Sequence, residues 1–165
     1  MYKKYFESKG GRTLYAGFTT VELVVTLIIL GLLATIAGPR FFDKLTFDER
    51  GFYDEVLSAV RYAQKYAISS GCEVQFDITS NTYTLNQRFT DCTTGAFTRP
   101  VYNPGTHTAF TGTAPSGVTL GMSPVTTIVF NAQGFVPAQS NTTIAITVGG
   151  RTITVIGGTG FVKTP

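Results

Sequence analysis

A single carboxylate, that of Glu22, stands at the start of a long apolar run. The sixteen residues of Leu23–Gly38 contain nothing more polar than Thr26 and Thr35. A charged side chain at membrane depth costs roughly 2.5 to 3.5 kcal/mol on insertion scales, so it is retained where it has a task, usually by meeting an opposite charge. Glu22 therefore requires a cation, and the apolar run supplies none.

The segment before the run offers a source for that cation. Residues 1–17 carry four basic side chains and one acidic one, and they end in Ala16 and Gly17, directly before Phe18. A secretory signal peptide has its small-residue cleavage site after the apolar core, whereas here the small residue comes first. Cleavage after Gly17 would remove a basic leader, keep the apolar helix and create an ammonium group on Phe18. The alternative is an ordinary single-span anchor with one tolerated glutamate.

The letters GFTTVEL at residues 17–23, the apolar run and Pro39 closely resemble the processing and polymerisation signal of type IV pilins and type II secretion pseudopilins. The resemblance implies that prepilin peptidase cuts between Gly17 and Phe18 and methylates the Phe18 amine. It assigns Glu22 and Pro39 to filament assembly, with Glu22 paired to the Phe18 amine of a neighbouring subunit. The implied partners are major and other minor pilins, the peptidase and an inner-membrane assembly platform.

The net positive charge of the chain comes from the leader. The whole chain has 13 basic and 10 acidic residues, and residues 1–17 hold 4 and 1 of them, which leaves 9 of each. The mature chain is neutral, so the basic pI of the whole chain does not indicate nucleic-acid binding.

The chain has room for one modest domain beyond the helix. We expect a single-pass inner-membrane protein with a periplasmic domain, which then joins a periplasmic or surface filament.

Cys72 and Cys92 are the only cysteines, and a predicted hairpin lies between them. If its turn centres on Ser80 and Asn81, the facing pairs are Ile78–Tyr83, Phe76–Leu85 and Cys72–Phe89. Cys92 then lies three residues beyond the partner of Cys72, and we predict a disulfide. Such a bond, closing about twenty residues, stabilises by roughly 3 kcal/mol on the chain-entropy model and is typical of the periplasm. Two buried free thiols are the alternative, and a metal pair is discounted because no other cysteine or histidine is nearby.

Helical patterns continue beyond the apolar run. Pro39 lacks a donor and crowds the carbonyl of Thr35, so a kink or local melting is expected there. Thr46 and Glu49 have capping-box spacing, and an amphipathic helix is predicted from Phe47 to a stop at Gly71. Its apolar stripe is expected to pack on a sheet and consists of Phe52, Val56, Ala59, Val60, Ala63 and Ala67.

Beyond Gly71 the period changes to two and Val, Ile, Thr and Phe dominate. The predicted strands are Cys72–Ile78, Tyr83–Phe89, Val118–Gly121, Thr126–Asn131, Thr142–Val148, Arg151–Ile156 and Gly160–Lys163. Gly149 and Gly150 predict a hairpin with the pairs Val148–Arg151, Ile146–Ile153 and Ile144–Val155. Residues 93–116, with three prolines and three glycines, predict a long loop or a loop with one edge strand around Val101.

The predicted fold class is α+β, with a long N-terminal helix packed on a C-terminal antiparallel β domain. The predicted segments are a cleaved leader at 1–17, a transmembrane and assembly helix at 18–42, an amphipathic helix at 43–71 and the β domain at 72–165. LSAVRYAQKYAISSGC, IVFNAQGFV and the final GFV are similar to the GspH and FimT group of minor pilins and pseudopilins. Within that group, residues 41–74 look most like the C-type branch of the mannose-sensitive haemagglutinin pilus.

The resemblance implies a subunit that initiates, primes or caps a type IV pilus-like filament, or alternatively a GspH-like pseudopilin of type II secretion. No phosphate-binding loop, zinc-ligand cluster or nucleophile motif occurs, so neither an enzyme nor a cofactor or metal is expected. The carboxylates of Asp48, Glu49, Asp54 and Glu55 are expected to form a solvated helix face.

DNA binding is the remaining alternative, because some members of the FimT branch bind DNA through a C-terminal Gly-Arg-x-Arg element. Here Gly160-Phe161-Val162-Lys163 stands at that place, and both arginines are missing. Arg151 and Lys163 remain as candidate DNA contacts. Since phosphate neutralisation supplies most nonspecific affinity, a neutral mature chain is not expected to bind DNA.

Overall fold

The computed structural model describes residues 17–41 and 44–165, and of residues 35–41 it describes the backbone alone. The predicted leader at residues 1–16 lies outside this range. The chain divides into two units at residue 43.

The first unit contains helix α1, Thr20–Phe41. Its backbone stays helical through Pro39 and for two residues beyond, so the expected local melting at Pro39 is not found. Among the described residues, no helix has the length and apolarity needed to cross a membrane.

The second unit begins with helix α2, Lys44–Ser70, and all six residues of the predicted stripe are buried on it. Tyr53 joins that buried face with 6% of its surface exposed. The predicted cap at Thr46 is wrong, because the helix already starts at Lys44 and places Thr46 inside its first turn. Gly71 follows the last helical residue with φ +68°, the left-handed conformation that glycine adopts at helix ends.

Nine strands follow within the described residues, and every pairing between them is antiparallel. They are β1 (Val74–Thr79), β2 (Thr82–Gln87), β3 (Arg99–Pro100), β4 (Thr111–Thr113), β5 (Leu120–Ser123), β6 (Thr127–Phe130), β7 (Thr143–Val148), β8 (Arg151–Ile156) and β9 (Phe161–Lys163). One sheet has the order β3-β2-β1-β6 with β4 also paired to β2, and the other has the order β5-β7-β8-β9. The predicted α+β class is therefore confirmed, with the β domain split into two sheets.

The β1–β2 hairpin has the predicted register for two of its three pairs. Ile78 faces Tyr83 and Phe76 faces Leu85, because Ser80 and Asn81 adopt the positive φ values of 51° and 62° that a tight hairpin turn requires. The predicted pairing of Cys72 with Phe89 is wrong. The ladder ends at Val74–Gln87, because the Glu73 N–H instead donates to the carbonyl of Cys92 at 2.9 Å.

The stretch predicted as a loop with at most one edge strand contributes two. β3 pairs with the end of β2 and β4 pairs with its beginning. Between them Val101 is buried with 1% of its surface exposed, and its N–H donates to the Leu85 carbonyl at 3.0 Å. The excursion at residues 102–110 is thereby held at the edge of the first sheet.

The second sheet contains the predicted Gly149-Gly150 hairpin, and all three of its predicted pairs are formed. A 3-10 turn, Pro137–Gln139, precedes β7. Inward-facing residues of both sheets complete the core against α2; the fully buried ones include Phe76, Ile128, Ile146, Ile153 and Val155.

Candidate functional site

The start of α1 carries the predicted assembly residues. Gly17, Phe18 and Thr19 precede the helix and belong to no regular element. The Thr19 Oγ1 accepts a hydrogen bond from the Glu22 N–H at 3.2 Å. The Leu23 N–H donates to the Thr19 carbonyl at 3.1 Å. Thr19 is therefore the N-cap, and Glu22 occupies the third helical position, where a carboxylate is favoured by the helix dipole.

Sequence reasoning missed this cap. Thr19 and Glu22 have the Thr-x-x-Glu spacing of a capping box, the same signal that was assigned instead to Thr46 and Glu49. The side-chain cap therefore lies at the start of α1, next to the predicted processing site, and not at Thr46 in α2.

In the part of the first unit whose side chains the structure describes, residues 17–34, the surface is apolar and exposed. Phe18 is 77% exposed, and the exposed fractions of the large apolar side chains between Val21 and Leu33 range from 47% at Val25 to 70% at Val21. A Cβ built at Gly17 would meet no atom within 4 Å. Packing within the described chain therefore gives no reason for a glycine at position 17.

Two of the four carboxylates predicted to be solvated contact the β domain. Glu49 Oε1 accepts from the Gly150 N–H at 3.2 Å and lies 3.6 Å from Arg151 Nε. Glu55 Oε1 accepts from the Tyr83 hydroxyl at 2.7 Å. Glu49 is half-buried by its contacts, so the prediction of a solvated face is wrong for it. Glu55 is exposed, as predicted, and in addition accepts a hydrogen bond from the β domain.

The two candidate DNA contacts do not form one patch. Lys163 pairs with Thr154, which lies three residues along β8 from Arg151. Since side chains alternate between the faces of a strand, Arg151 and Lys163 lie on opposite faces of the second sheet. Arg151 also lies beside Glu49, with its guanidinium 5.8 Å from the Tyr53 ring centre.

Gly160 stands where the Gly-Arg-x-Arg element has its glycine. The structure gives a reason for a glycine at this position. Its φ is +67°, and a Cβ there would lie 1.8 Å from the Gly134 carbonyl oxygen. Any larger residue would push the connection before β9 away from residue 134.

The predicted disulfide between Cys72 and Cys92 is present, with the two Cα atoms 4.1 Å apart. Arg88 ties its loop together: its guanidinium donates to Glu73 Oε2 at 2.5 Å and to the Gly95 carbonyl at 2.6 Å, and it lies 4.3 Å from the Phe97 ring centre. The disulfide therefore closes a loop that is also held by the Arg88–Glu73 ion pair, and the cation–π contact joins this loop to the residues that follow Cys92.

Asp91 caps the next turn of that loop. The Thr94 hydroxyl and the N–H groups of Thr93 and Thr94 donate to its carboxylate at 2.6 to 2.8 Å. These bonds, that from the Thr94 hydroxyl first, lower the pKa of Asp91 to about 2. Within the described residues, no group of three or more histidines, cysteines and carboxylates could hold a metal ion.

A cavity of about 470 Å³ lies between α2 and the excursion at residues 102–110. Its lining includes the Glu55 carboxylate, the Tyr83 ring, and the polar side chains of Ser58, Asn103 and Thr108. Burial, followed by the hydrogen bond and the charge of Glu55, raises the pKa of the Tyr83 phenol. Tyr83 therefore remains a hydrogen-bond donor to Glu55 at any ordinary pH.

Comparisons with known proteins give one family model, and its match lies within the second unit. Residues 53–160 match the family model described as Type II transport protein GspH. The type IV narrow pilus major component PilA5 of Thermus thermophilus is 41% identical over 54 residues, which cover 33% of this chain and 45% of that relative. The chain thus spans less than half the length of the curated relative it matches.

Two solved structures share the fold. The minor pseudopilin EpsH from the Type 2 Secretion System of Vibrio cholerae aligns with a TM-score of 0.55 at 12% identity, covering 71% of this chain and 94% of EpsH. A crystal structure of the type IV minor pilin FimU of Pseudomonas aeruginosa aligns at 0.51 and 14%, covering 68% and 88%. The fold is pilin-like, and the matched proteins are pilus and secretion components rather than enzymes.

Proposed function

This chain belongs to the GspH family, and on that premise we propose that it is a minor pilin or pseudopilin that helps to initiate, prime or cap a type IV pilus-like filament. Prepilin peptidase removes residues 1–17 and methylates the Phe18 amine, and Glu22 then pairs with the Phe18 amine of a neighbouring subunit. The observation that carries the proposal is an exposed apolar helix whose capped first turn holds Glu22.

Exposure of α1 supports an assembly role. Water contact costs about 25 cal/mol for each Å² of apolar surface, and the large apolar side chains between Val21 and Leu33 are all at least 47% exposed. Such a helix needs apolar surroundings. We propose that the inner membrane supplies them before assembly, with residues 44–165 in the periplasm, and that the helices of other pilins supply them in the filament.

Glu22 supports polymerisation through charge. Its carboxylate lies at the helix N-terminus, among exposed apolar side chains, and it makes no ion pair with any described residue. In apolar surroundings an unpaired carboxylate is costly. A neighbouring Phe18 ammonium would satisfy it, and this pairing would fix the axial offset between adjacent subunits.

The proposal covers both kinds of filament. The resemblance of residues 41–74 favours, as a finer assignment, the C-type minor pilin of the mannose-sensitive haemagglutinin pilus, whereas the family model carries the name of a type II transport protein. DNA uptake is the weaker candidate, because Arg151 lies beside Glu49 and on the opposite sheet face from Lys163.

Mass spectrometry of the chain from cells with and without prepilin peptidase tests the proposal. We expect an N-methylated Phe18 terminus in the first case and the intact leader in the second. Filaments sheared from the first cells should contain the mature chain at a level well below that of the major subunit. A chain that keeps its leader in both cells, and that never enters filaments, would refute the proposal.

A further inference from the structure

The cavity beside Glu55 is built around a carboxylate that is held in place. Glu55 Oε1 accepts from the Tyr83 hydroxyl at 2.7 Å, and the Tyr83 ring is packed in the core with 1% of its surface exposed. A Cβ built at Gly112 would lie 2.2 Å from Glu55 Oε1 and 2.5 Å from Tyr83 Cε1. The absence of a side chain at residue 112 therefore lets the carboxylate and the phenol lie against β4.

The carboxylate is not neutralised from within the described chain. Two ion pairs are formed there, Arg88 with Glu73 and Arg151 with Glu49, and Glu55 takes part in neither. The phenol occupies one carboxylate oxygen, which leaves Oε2 for another donor. None of the residues that line the cavity is basic.

The remaining lining supplies hydrogen-bond acceptors. Ser58 follows Glu55 by three positions, so both lie on the same helix face. The excursion contributes Asn103, Thr106 and Thr108, and β4 contributes Thr111. Asn103 Oδ1 accepts from the Gly105 N–H at 2.8 Å, which orients its side chain. The volume of about 470 Å³ lies within the range of small-molecule sites.

We propose that this cavity binds a primary ammonium group, held by the Glu55 carboxylate and by neighbouring hydroxyl and amide oxygens. An ammonium has three donors and no acceptor, which matches a carboxylate surrounded by oxygens. The ammonium belongs either to a lysine side chain of a partner protein or to a small free amine. This site lies in the second unit and does not depend on the filament role of α1.

Basic residues of α2 limit the orientation of the ligand. Arg61 and Lys65 line a separate recess that also includes Ser58 and Tyr62. Ser58 lines both the recess and the cavity. Since like charges repel each other, we expect the ammonium on the Glu55 side of Ser58, away from Arg61 and Lys65. Removing the charge of Arg61 should therefore strengthen binding, which a purely structural role of Glu55 does not predict.

Nuclear magnetic resonance titration of the full chain in a non-ionic detergent tests the site. The probes are methylammonium and Nα-acetyl-lysine-N-methylamide, with the norleucine analogue, which lacks the ammonium group, as the uncharged control. We expect saturable shifts of the Asn103 side-chain amide and the Gly112 backbone amide with both amines and none with the norleucine analogue. A lower dissociation constant for the lysine probe than for methylammonium assigns the site to a lysine side chain of a partner protein, and equal dissociation constants assign it to free amines.

Matched variants separate charge from structure. Glu55→Gln keeps an oxygen acceptor for Tyr83 but removes the charge, and it should weaken binding about fivefold, the upper range of exposed ion pairs. Arg61→Ala should strengthen it about twofold at low salt, and Asp54→Asn, a carboxylate outside the cavity, should change it less than twofold. Equal binding by wild type and Glu55→Gln, or equal shifts with the norleucine analogue or a neutral sugar, would overturn the proposal.

Discussion

The hydroxyl of Thr19 accepts a hydrogen bond from the backbone N–H of Glu22 at 3.2 Å. This contact begins α1 two residues after Phe18 and leaves the Glu22 carboxylate in the first helical turn. The helix dipole favours an anion at this place by about 0.3 to 1 kcal/mol. Glu22 thus has a local stabilising role as well as the intermolecular one that we propose.

Processing should depend on the small size of residue 17. A Gly17→Leu variant should keep its leader, because a bulky side chain next to the proposed scissile bond obstructs the peptidase. A Cβ at residue 17 would meet no atom of the described chain within 4 Å, so a folding defect is not expected to contribute. Immunoblotting of membrane fractions measures the outcome, with Gly17→Ala as the conservative control. Mature-size protein from the leucine variant would count against this cut site.

Loss of the disulfide should destabilise the β domain. A bond between residues separated by 20 positions stabilises by roughly 3 kcal/mol on the chain-entropy model, so Cys72→Ser with Cys92→Ser should lower the free energy of unfolding by about this amount. Urea denaturation followed by circular dichroism gives the value. Since Arg88 also holds the loop, a loss below 1 kcal/mol would show that these non-covalent contacts are sufficient.

The Asp91 turn should loosen in acid. The pKa of Asp91 is lowered from 3.8 to about 2 in the folded chain, so its contribution is complete above pH 3.8 and is lost as the pH falls through about 2. Amide exchange at Thr93 and Thr94 should accelerate across this window. An Asp91→Ala variant should lack the pH dependence, and a wild-type profile that is flat between pH 4 and 2 would contradict the assignment.

The periodic parts of the second unit were predictable from sequence. The buried stripe of α2 follows the 3.6-residue period, and both hairpins follow from their turns, since Asn81 and Gly149 adopt positive φ. The division into two sheets was not predictable, because β1 pairs with β6 across about fifty residues and no local signal encodes that choice. β3 and β4 were missed as a pair because each is too short to show a period.

The candidate sites were predictable to different extents. The disulfide was predicted correctly, although the extrapolated Cys72–Phe89 pair was wrong because the chain leaves the ladder after Gln87. The contact between Glu49 and Gly150 joins residues that are 101 positions apart in the sequence, and the contact between Glu55 and Tyr83 joins residues that are 28 positions apart. An acidic residue near the start of a helix gives the same sequence pattern whether its carboxylate is solvated or hydrogen-bonded to another element. These contacts therefore could not be predicted from the sequence.

Duplex DNA should bind weakly at physiological salt to residues 18–165, the chain without its proposed leader. Its 9 basic and 9 acidic residues balance, and Arg151 and Lys163 cannot neutralise adjacent phosphates from opposite sheet faces. A gel-shift titration should give no submicromolar binding. Tight binding that falls steeply with salt, and that disappears in both Arg151→Ala and Lys163→Ala, would instead favour a DNA-uptake role.

Incorporation of a Glu22→Gln variant into filaments tests the central claim most directly. The amide preserves the shape of the side chain and makes the helix less polar, so membrane insertion and leader cleavage should remain at wild-type levels. Thr19→Val serves as a control, because it removes the cap without changing the charge. We predict that the mature Gln variant accumulates in the membrane and that its share in sheared filaments falls about tenfold. A normal share of the Glu22→Gln chain in filaments would contradict the pairing of Glu22 with the Phe18 ammonium.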